Sequence, residues 1–571
     1  MIMRPLIFRV SIYAGLVGLG LGLFQTQVID GSQYRRLSEK NRIRLIPLEA
    51  PRGRVFDSKG KLLATNRPSY DIMATPEDMG PETVPKLSRL LKLPENEIHK
   101  RMRYAREYPF TPAMIQEDVT KETAFAVEEH RTELPGVFVN LSSIRYYPYG
   151  QTASHLIGYI GKIGPAEYAN LDRQRYGLNS LVGRAGLEKV YDETLRGWRG
   201  GRQIEVNARG EMIRVLSDRD PEPGEDLHLT VDLEFQAKIT GLLKDKHAAV
   251  AVMDLRTNGL LALVSSPTFD PNAFVSPSRS SERMALLADK NYPMLNRAVG
   301  SAYPPGSVFK VVTALSALER GKITAQSSFT CTGRFRLTPG GRPYACWYKQ
   351  GHGTLGLYEA IERSCNVYFY HLGSLLQPED IAHYARELGL GQTVRLELPD
   401  TNPGLVPDAG WKQARFRQKW YQGETLSYAI GQSYLLTSPI QILRLVSIIA
   451  QDGKWVDPHL VASRETHTPA VPARYVAIHP ENMKIIKRGM LQVVQSQFGT
   501  GQLAKVDFAK LAAKTGTAQV PPGIAHAWMT GFFPYEDPQI AFVVFVEHGG
   551  SGGIAAGHIV KDMLQIWKDY A

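Results

Sequence analysis

Residues 304–310 read Pro304-Pro305-Gly306-Ser307-Val308-Phe309-Lys310. The Pro-Pro-Gly turn predicts a helix that starts at about Ser307 and runs from Val308 to Arg320, with Val308, Val311, Val312, Leu315 and Leu318 as its apolar face. Ser307 and Lys310 stand three positions apart, so they share one face and the amine can reach the hydroxyl. A serine is a poor nucleophile until a base takes its proton, and an amine is a base only when neutral. Burial and a second nearby cation both push a lysine toward that form. Alone, S-x-x-K is an ordinary surface-helix pattern, so its weight depends on what surrounds it.

Two motifs follow it in order. Ser364-Cys365-Asn366 lies within Glu362 to Tyr370, and Lys514-Thr515-Gly516-Thr517-Ala518-Gln519 comes last. Glycine in a strand lets another backbone approach closely, and a strand-edge amide can bond an extended peptide. Before the serine, Ala248 to Asp254 reads as an apolar strand, Leu255 to Asn258 as a turn and Gly259 to Ser265 as a second strand. Ile540 to Val546 is apolar on both faces and is expected to be buried, and a helix from Ile559 to Tyr570 closes the chain. The pattern is mixed α/β (α+β), with a central antiparallel sheet flanked by helices.

Toward the amino terminus the character changes. Pro221-Glu222-Pro223-Gly224-Glu225-Asp226 interrupts both helix and strand and is the expected boundary between residues 30–225 and 226–571. Within the first part, Arg42 to Ile46 alternates and is expected to end before Pro47. Ser58-Lys59-Gly60 reads as a turn, with Lys61 to Ala64 as the returning strand. Residues 76–135 are charged and helix-rich, with Leu87, Leu90 and Leu91 repeating. Tyr146 to Gly161 and Gly183 to Arg214 are rich in glycine and strand formers.

Leu6 to Ile29 is apolar apart from Arg9, Ser11 and a polar end at Gln25, Thr26 and Gln27. That length crosses a hydrocarbon core, and no small-x-small cleavage site follows Phe24, so a retained anchor is expected behind a short tip at residues 1–5. Arg35, Arg36, Lys40, Arg42 and Arg44 after the span outnumber Arg4, Arg9 and the amino terminus, which sit before it or at its start. A plain charge count would keep the large part inside, but long domains cross largely regardless of charge.

The 571 residues carry a net charge of +11, and 43% of them are hydrophobic, enough for a large core without disulfide support. The excess charge is dispersed, with no zinc-knuckle spacing, RNA-binding strand motif or lysine-rich tail, so a nucleic-acid partner is not expected. An acidic polymer or an anionic membrane face suits the charge equally well, as does a merely basic surface.

The three cysteines, Cys331, Cys346 and Cys365, fall within one 35-residue stretch with His352 among them, spaced C-x14-C-x5-H-x12-C. Three thiolates and an imidazole suit a closed, structural zinc site. A Cys331–Cys346 disulfide with Cys365 spare, or three buried thiols, fits the spacing as well.

S-x-x-K, S-D-N and K-T-G in this order are the set of penicillin-binding proteins and class A β-lactamases. Here Cys365 stands where the set has Asp. Nearly the whole chain resembles the class B penicillin-binding proteins, and among them the elongation type. Arg52-Gly53 through Asp57 with Gly60, Gly183 to Glu188, and Glu205-Val206-Asn207-Ala208-Arg209-Gly210 resemble the family's pedestal motifs. Gly431-Gln432 and His526-Ala527-Trp528 resemble later transpeptidase signatures.

The resemblance implies a D,D-transpeptidase that cross-links peptidoglycan stem peptides ending in D-Ala-D-Ala and is acylated by β-lactams. It implies Ser307 as nucleophile, Lys310 as general base, Ser364 as proton shuttle, Asn366 on the substrate amide and Lys514 tuning the field. Thr515, Gly516 and Thr517 would bind substrate, and the backbone N–H groups of Ser307 and Thr517 would form the oxyanion hole. It implies zinc on Cys331, Cys346, His352 and Cys365, and no cofactor for acyl transfer itself. It also implies a non-catalytic, dimerisation-type pedestal, a SEDS-class polymerase in the membrane, an elongation scaffold on the pedestal, and a catalytic domain outside the inner membrane. A division-type enzyme, a β-lactamase or carboxypeptidase, and an acylated sensor are the alternatives.

Overall fold

The computed structural model describes residues 3–32, 43–103, 112–172, 175–176, 180–206, 212–462, 474–520 and 522–570. Helix α1, Met3–Phe24, continues through a π-type turn at Gln25–Ile29. Within it Phe8–Ile29 is a 22-residue apolar span, none of it packed against the rest of the chain. At 1.5 Å per residue it is long enough to cross a bilayer core of about 30 Å. Of the basic residues that follow, Arg35, Arg36, Lys40 and Arg42 lie outside the described residues.

Strand β1, Ile43–Leu48, continues through Pro47 instead of stopping before it. It is an outer strand of a three-stranded sheet, where the missing N–H of a proline can face away from its partner. After β2, Val55–Phe56, strand β3 runs from Leu62 to Ala74, ten residues beyond the expected end at Ala64. Asn and Pro are disfavoured inside strands, yet β3 pairs without interruption through Asn66 and Pro68, from Thr65 to Ala74, with β5, Val137–Tyr146. On its other side β2 pairs only as far as Ala64, and β4, Ala113–Val119, begins at Tyr70. Pro68 therefore falls where that side has no partner.

Helices α2, Thr83–Leu91, α3, Glu95–Met102, and α4, Lys121–Glu129, close a small core around Ile72, Leu87, Ile98 and Ile115. Leu87 and Leu91 are buried there, while Leu90 is only partly covered. Helix α5, Gly186–Val190, carries Glu188 into the interior, where Arg52 and Arg145 each reach it at 2.6 Å. A buried carboxylate needs such partners, and removing one partner of this kind costs about 3–5 kcal/mol. Strands β6, Gly200–Val206, and β7, Met212–Arg219, complete the β1 sheet. Asn207–Gly210 of the third pedestal-like motif lie outside the described residues.

The segment 221–226 is tied into this region. Gly224 N–H donates to the Pro51 carbonyl at 3.0 Å, and Arg54 N–H donates to Asp226 Oδ1 at 2.6 Å. Strand β8, Leu227–His228, then pairs in parallel with β2.

The C-terminal part is built on a five-stranded antiparallel sheet. Its strands are β9, Ala248–Asp254; β10, Leu260–Ser266; β15, Ala512–Ala518; β16, His526–Phe533; and β17, Ile540–Val546, with β11–β14 in the small hairpins described below. The order across the sheet is β10-β9-β17-β16-β15, which leaves β15 at one edge. Every residue of β9, β16 and β17 is buried, so both faces are covered, as the apolar run 540–546 requires. Helix α6, Leu233–Leu242, packs on β10 and against the closing helix Gly557–Lys568. The fully buried helix Pro439–Ala450 lies against β9, β16 and β17.

Candidate active site

The predicted helix at Ser307 begins differently from its reading. Gly306–Phe309 forms a 3-10 turn, and the α-helix, α7, spans Lys310–Glu319. Residues i and i+3 eclipse in a 3-10 turn, so Ser307 and Lys310 remain on one side. The turn is clamped from three directions. Gly306 N–H donates to the Gly431 carbonyl at 2.9 Å, and Trp528 Nε1–H donates to the Pro304 carbonyl at 3.0 Å. The third clamp is Gly516, where a Cβ would stand 2.9 Å from the Pro305 carbonyl and 2.9 Å from Val308. Gly306 has φ +53°, which a glycine adopts without penalty. Between Pro305 and Lys310 only Ser307 is not buried.

Helices α8, Leu357–Glu362, and α9, Asn366–Leu375, present the second motif between them. The N–H of Cys365 bonds the Ala360 carbonyl and the N–H of Ser364 bonds the Ile361 carbonyl, the paired bonds of a Schellman end. That motif wants a left-handed residue, usually glycine, and Ser364 occupies it at φ +52°. A non-glycine there costs roughly 1–2 kcal/mol. The strain holds the Ser364 hydroxyl between two amines: Lys310 Nζ at 3.2 Å and Lys514 Nζ at 3.1 Å. Lys310 Nζ also donates to the Ser364 carbonyl and to Asn366 Oδ1, each at 2.7 Å. Among the described residues no hydrogen bond joins Lys310 to the Ser307 hydroxyl, so the amine rests on the second motif rather than on the first.

Both amines are fully buried. Burial pushes the Lys310 amine down to about 8. Burial and the charge of Lys310 hold Lys514 well below the usual lysine range. Sharing one hydroxyl, the two nitrogens are no more than about 6 Å apart, where two charges repel by about 3 kcal/mol at an effective dielectric constant of 20. The pair therefore disfavours holding two protons at neutral pH.

The third motif lies on β15. Lys514 and Thr515 point into the structure, Gly516 closes against the Ser307 turn, and Thr517 is exposed. Thr517 Oγ1 accepts from the Gly552 N–H at 3.2 Å, and Thr515 Oγ1 lies 2.7 Å from Thr500 Oγ1. Among the described residues the outer edge of β15 has no strand partner, so that edge is open to an extended peptide. Ser307, Lys310, Ser364, Asn366, Lys514, Thr515, Gly516 and Thr517 thus come together from three segments.

Two contributors lay outside the motifs. Thr500 sits 14 positions before Lys514 in no recognisable pattern. Trp347 is 56% exposed, and its indole N–H donates to the Arg363 and Ser364 carbonyls at 3.0 and 3.2 Å.

The cysteine segment folds as short ladders: β11, Phe329–Cys331, with β14, Gly353–Leu355, and β12, Arg334–Arg336, with β13, Pro343–Ala345. They bring the donor atoms of Cys331, Cys346, His352 and Cys365 within 4.8 Å of one another. All three cysteines are free thiols and buried. His352 Nδ1 lies 3.6 Å from both the Cys331 and Cys346 sulfurs, while its Nε2 is buried without a partner. The hydrogen bond to Cys346, together with burial, pushes the Cys365 thiol up. Four converging donors of this kind could hold a metal ion. Cys365 is also the residue between Ser364 and Asn366, so the cluster and the second motif share one backbone segment.

The family model described as "Penicillin binding protein transpeptidase domain" matches residues 248–565, and that of the "Penicillin-binding Protein dimerisation domain" matches residues 47–229. The peptidoglycan D,D-transpeptidase MrdA of Escherichia coli K12 is 35% identical over 95% of this chain and 90% of its own length. The penicillin-binding protein PBP2 of Helicobacter pylori, solved in complex with MreC, superposes with a TM-score of 0.83 at 29% identity, covering 93% of this chain and 99% of that one. Pseudomonas aeruginosa PBP2 in complex with WCK 5153 gives 0.71 at 28% identity, covering 92% and 96%. With one family profile over the clamped serine and its two lysines, the other over the N-terminal region, and relatives alike along nearly their full length, the chain belongs to the penicillin-binding protein family of peptidoglycan D,D-transpeptidases.

Proposed function

We propose that this chain cross-links peptidoglycan stem peptides during lateral wall synthesis through an acyl-enzyme on Ser307. The observation that carries the reading is the convergence of two buried amines on the Ser364 hydroxyl, beside a clamped turn whose one uncovered residue is Ser307. Ser307 Oγ attacks the carbonyl of the penultimate D-alanine, and its proton passes to Lys310, whose amine burial keeps ready to accept it. Ser364, hydrogen-bonded to both amines, relays that proton to the departing D-alanine nitrogen. Asn366 faces the substrate amide, and Lys514 with Thr515 and Thr517 faces the terminal carboxylate. The N–H groups of Ser307 and Thr517 receive the oxyanion, each donor of this kind being worth about 3 kcal/mol of barrier. An amine from a neighbouring strand then takes the acyl group. A β-lactam enters the same route and stops at the acyl-enzyme.

Zinc is the ion that Cys331, Cys346, His352 and Cys365 would hold. In a tetrahedral site with Zn–S about 2.3 Å and Zn–N about 2.0–2.1 Å, sulfur and nitrogen stand about 3.6 Å apart, the separation of His352 Nδ1 from both sulfurs. Such an ion would be structural, a cross-link that fixes the backbone at Cys365. It leaves the acyl transfer to the side chains.

Phe8–Ile29 would hold the chain in the inner membrane with the catalytic domain outside, where the substrate is. The E. coli and H. pylori relatives support an elongation role, and the H. pylori complex supports a MreC-like scaffold on residues 30–225, the pedestal. A SEDS-class polymerase beside α1 would supply the glycan strand.

The test is a reconstituted reaction of the full chain with freshly polymerised pentapeptide strands. Cross-linked dimers with one D-alanine released per cross-link, both lost in Ser307→Ala, are the expected result. Tetrapeptide monomers alone, or rapid turnover of penicillin, would make it a carboxypeptidase or a β-lactamase.

A further inference from the structure

Carboxylates are missing from one side of the catalytic cleft. From Ala325 to Tyr358, and again from Ala409 to Gly423, the sequence contains no Asp or Glu. The first stretch carries Arg334, Arg336 and Arg342 on the β12–β13 hairpin. The second carries Arg415, Arg417 and Lys419 at the end of helix α10, Ala409–Phe416, and the loop after it. All six are exposed, and among the described residues none has a carboxylate within 4 Å. Some exposed cations elsewhere find one, as Arg54 with Asp226, Lys484 with Glu481 and Lys510 with Glu536, whereas both of these stretches lack any Asp or Glu to offer. The nearby Glu424 is already taken by the buried Lys412 at 2.6 Å.

The two stretches are neighbours, and the first borders the cleft. The Tyr344 hydroxyl on the hairpin lies against Gly423, where a Cβ would come within 2.3 Å of it. Asn366 Nδ2 donates to the Ala345 carbonyl at 3.4 Å, and Trp347 bonds the Ser364 carbonyl. Between the cations stand uncovered rings: Trp347 at 56% exposure, Tyr421 at 54% and Phe416 at 46%. Flat apolar faces among unpaired cations match sugar rings that carry carboxylate-bearing peptides, and match a bare polyanion less well.

We propose that the hairpin 334–345 and the segment 415–421 form a shelf that binds the glycopeptide strand itself, through its stem-peptide carboxylates and sugar faces, beside Ser307. This rests on the transpeptidase reading above and extends it from the reacting dipeptide to the strand that carries it.

The test uses the full chain in detergent, with two charge-neutral variants, R334Q/R336Q/R342Q and R415Q/R417Q/K419Q. The probe is a soluble fluorescent glycan–pentapeptide strand, alongside the same strand with its carboxylates converted to amides. In about 0.15 M salt each variant should bind the native strand roughly tenfold more weakly, given the usual strength of exposed ion pairs. The parent should bind the amidated strand as weakly as the variants bind the native one. K484Q/K510Q, which removes two cations outside the shelf, should bind like the parent. Equal strand binding by parent and variants overturns the proposal, as does undiminished affinity for the amidated strand. Variants that keep the strand but lose phosphatidylglycerol vesicles would make the shelf a membrane contact instead. Acylation by a small penicillin, measured on the same samples, reads the Ser307 chemistry separately. It should be unchanged in the variants, and its failure in the parent would sink the enzyme reading without touching strand binding.

Discussion

Raising the pH should switch on acylation through Lys310. Its buried amine sits at about 8 in the folded chain, against 10.5 for an ordinary lysine. If that amine takes the Ser307 proton, the rate follows its neutral fraction, about a tenth of the plateau at pH 7 and about a hundredth at pH 6. The assay is the second-order acylation rate with a fluorescent penicillin, by stopped flow from pH 6 to pH 10. It should climb tenfold per pH unit and level off above about 8. A flat profile, or a limb that keeps climbing toward 10.5, would remove Lys310 from the role of base. Stability should follow the same group. Because its folded value lies below its unfolded one, the cost of burying a charged amine is present at low pH. That cost is relieved as pH rises from about 8 to 10.5, by about 3 kcal/mol. Denaturant midpoints that fall across this window, once other groups are corrected for, would contradict the assignment.

Ser364 should behave as a strained residue. Ser364→Ala and Ser364→Gly should both lose acylation by about 10²–10⁴-fold, yet the glycine variant should be the more stable of the two by about 1 kcal/mol, because only it is at ease at φ +52°. Denaturant titrations that rank alanine at or above glycine would deny the strain. Gly516→Ala brings a methyl to 2.9 Å from Pro305 and Val308 and should cost about 1–3 kcal/mol in melting experiments and about 100-fold in acylation. Gly241→Ala, with nothing within 4 Å, should do neither. Elemental analysis of the purified chain should find one zinc per molecule, falling to trace in Cys346→Ala. Equal metal in both would empty the proposed site.

Three strands of the central sheet were legible because they are short apolar runs. Ala248–Asp254 and Ile540–Val546 fall where their composition puts them. The pedestal was less so, since β3 runs through Asn66 and Pro68 on the strength of its partner β5, which local sequence does not encode. At the site the three motifs announced the residue types, and the structure brings them into one cluster. What spacing could not give was the wiring: Lys310 held by Ser364 and Asn366 rather than by Ser307, and Trp347 bonded to the Ser364 carbonyl. Those contacts depend on the left-handed turn at Ser364, a backbone conformation that a serine gives no reason to expect. The Gly431 and Trp528 signatures gained a physical meaning as braces of the serine turn.

The most direct test of the account is the position of the covalent adduct. The full chain is incubated with a penicillin, digested and mapped by mass spectrometry, beside Ser307→Ala. A penicilloyl group on the peptide containing Ser307, and none anywhere in the alanine variant, is the predicted result. An adduct on another residue of the parent chain, or one that persists in Ser307→Ala, would contradict it.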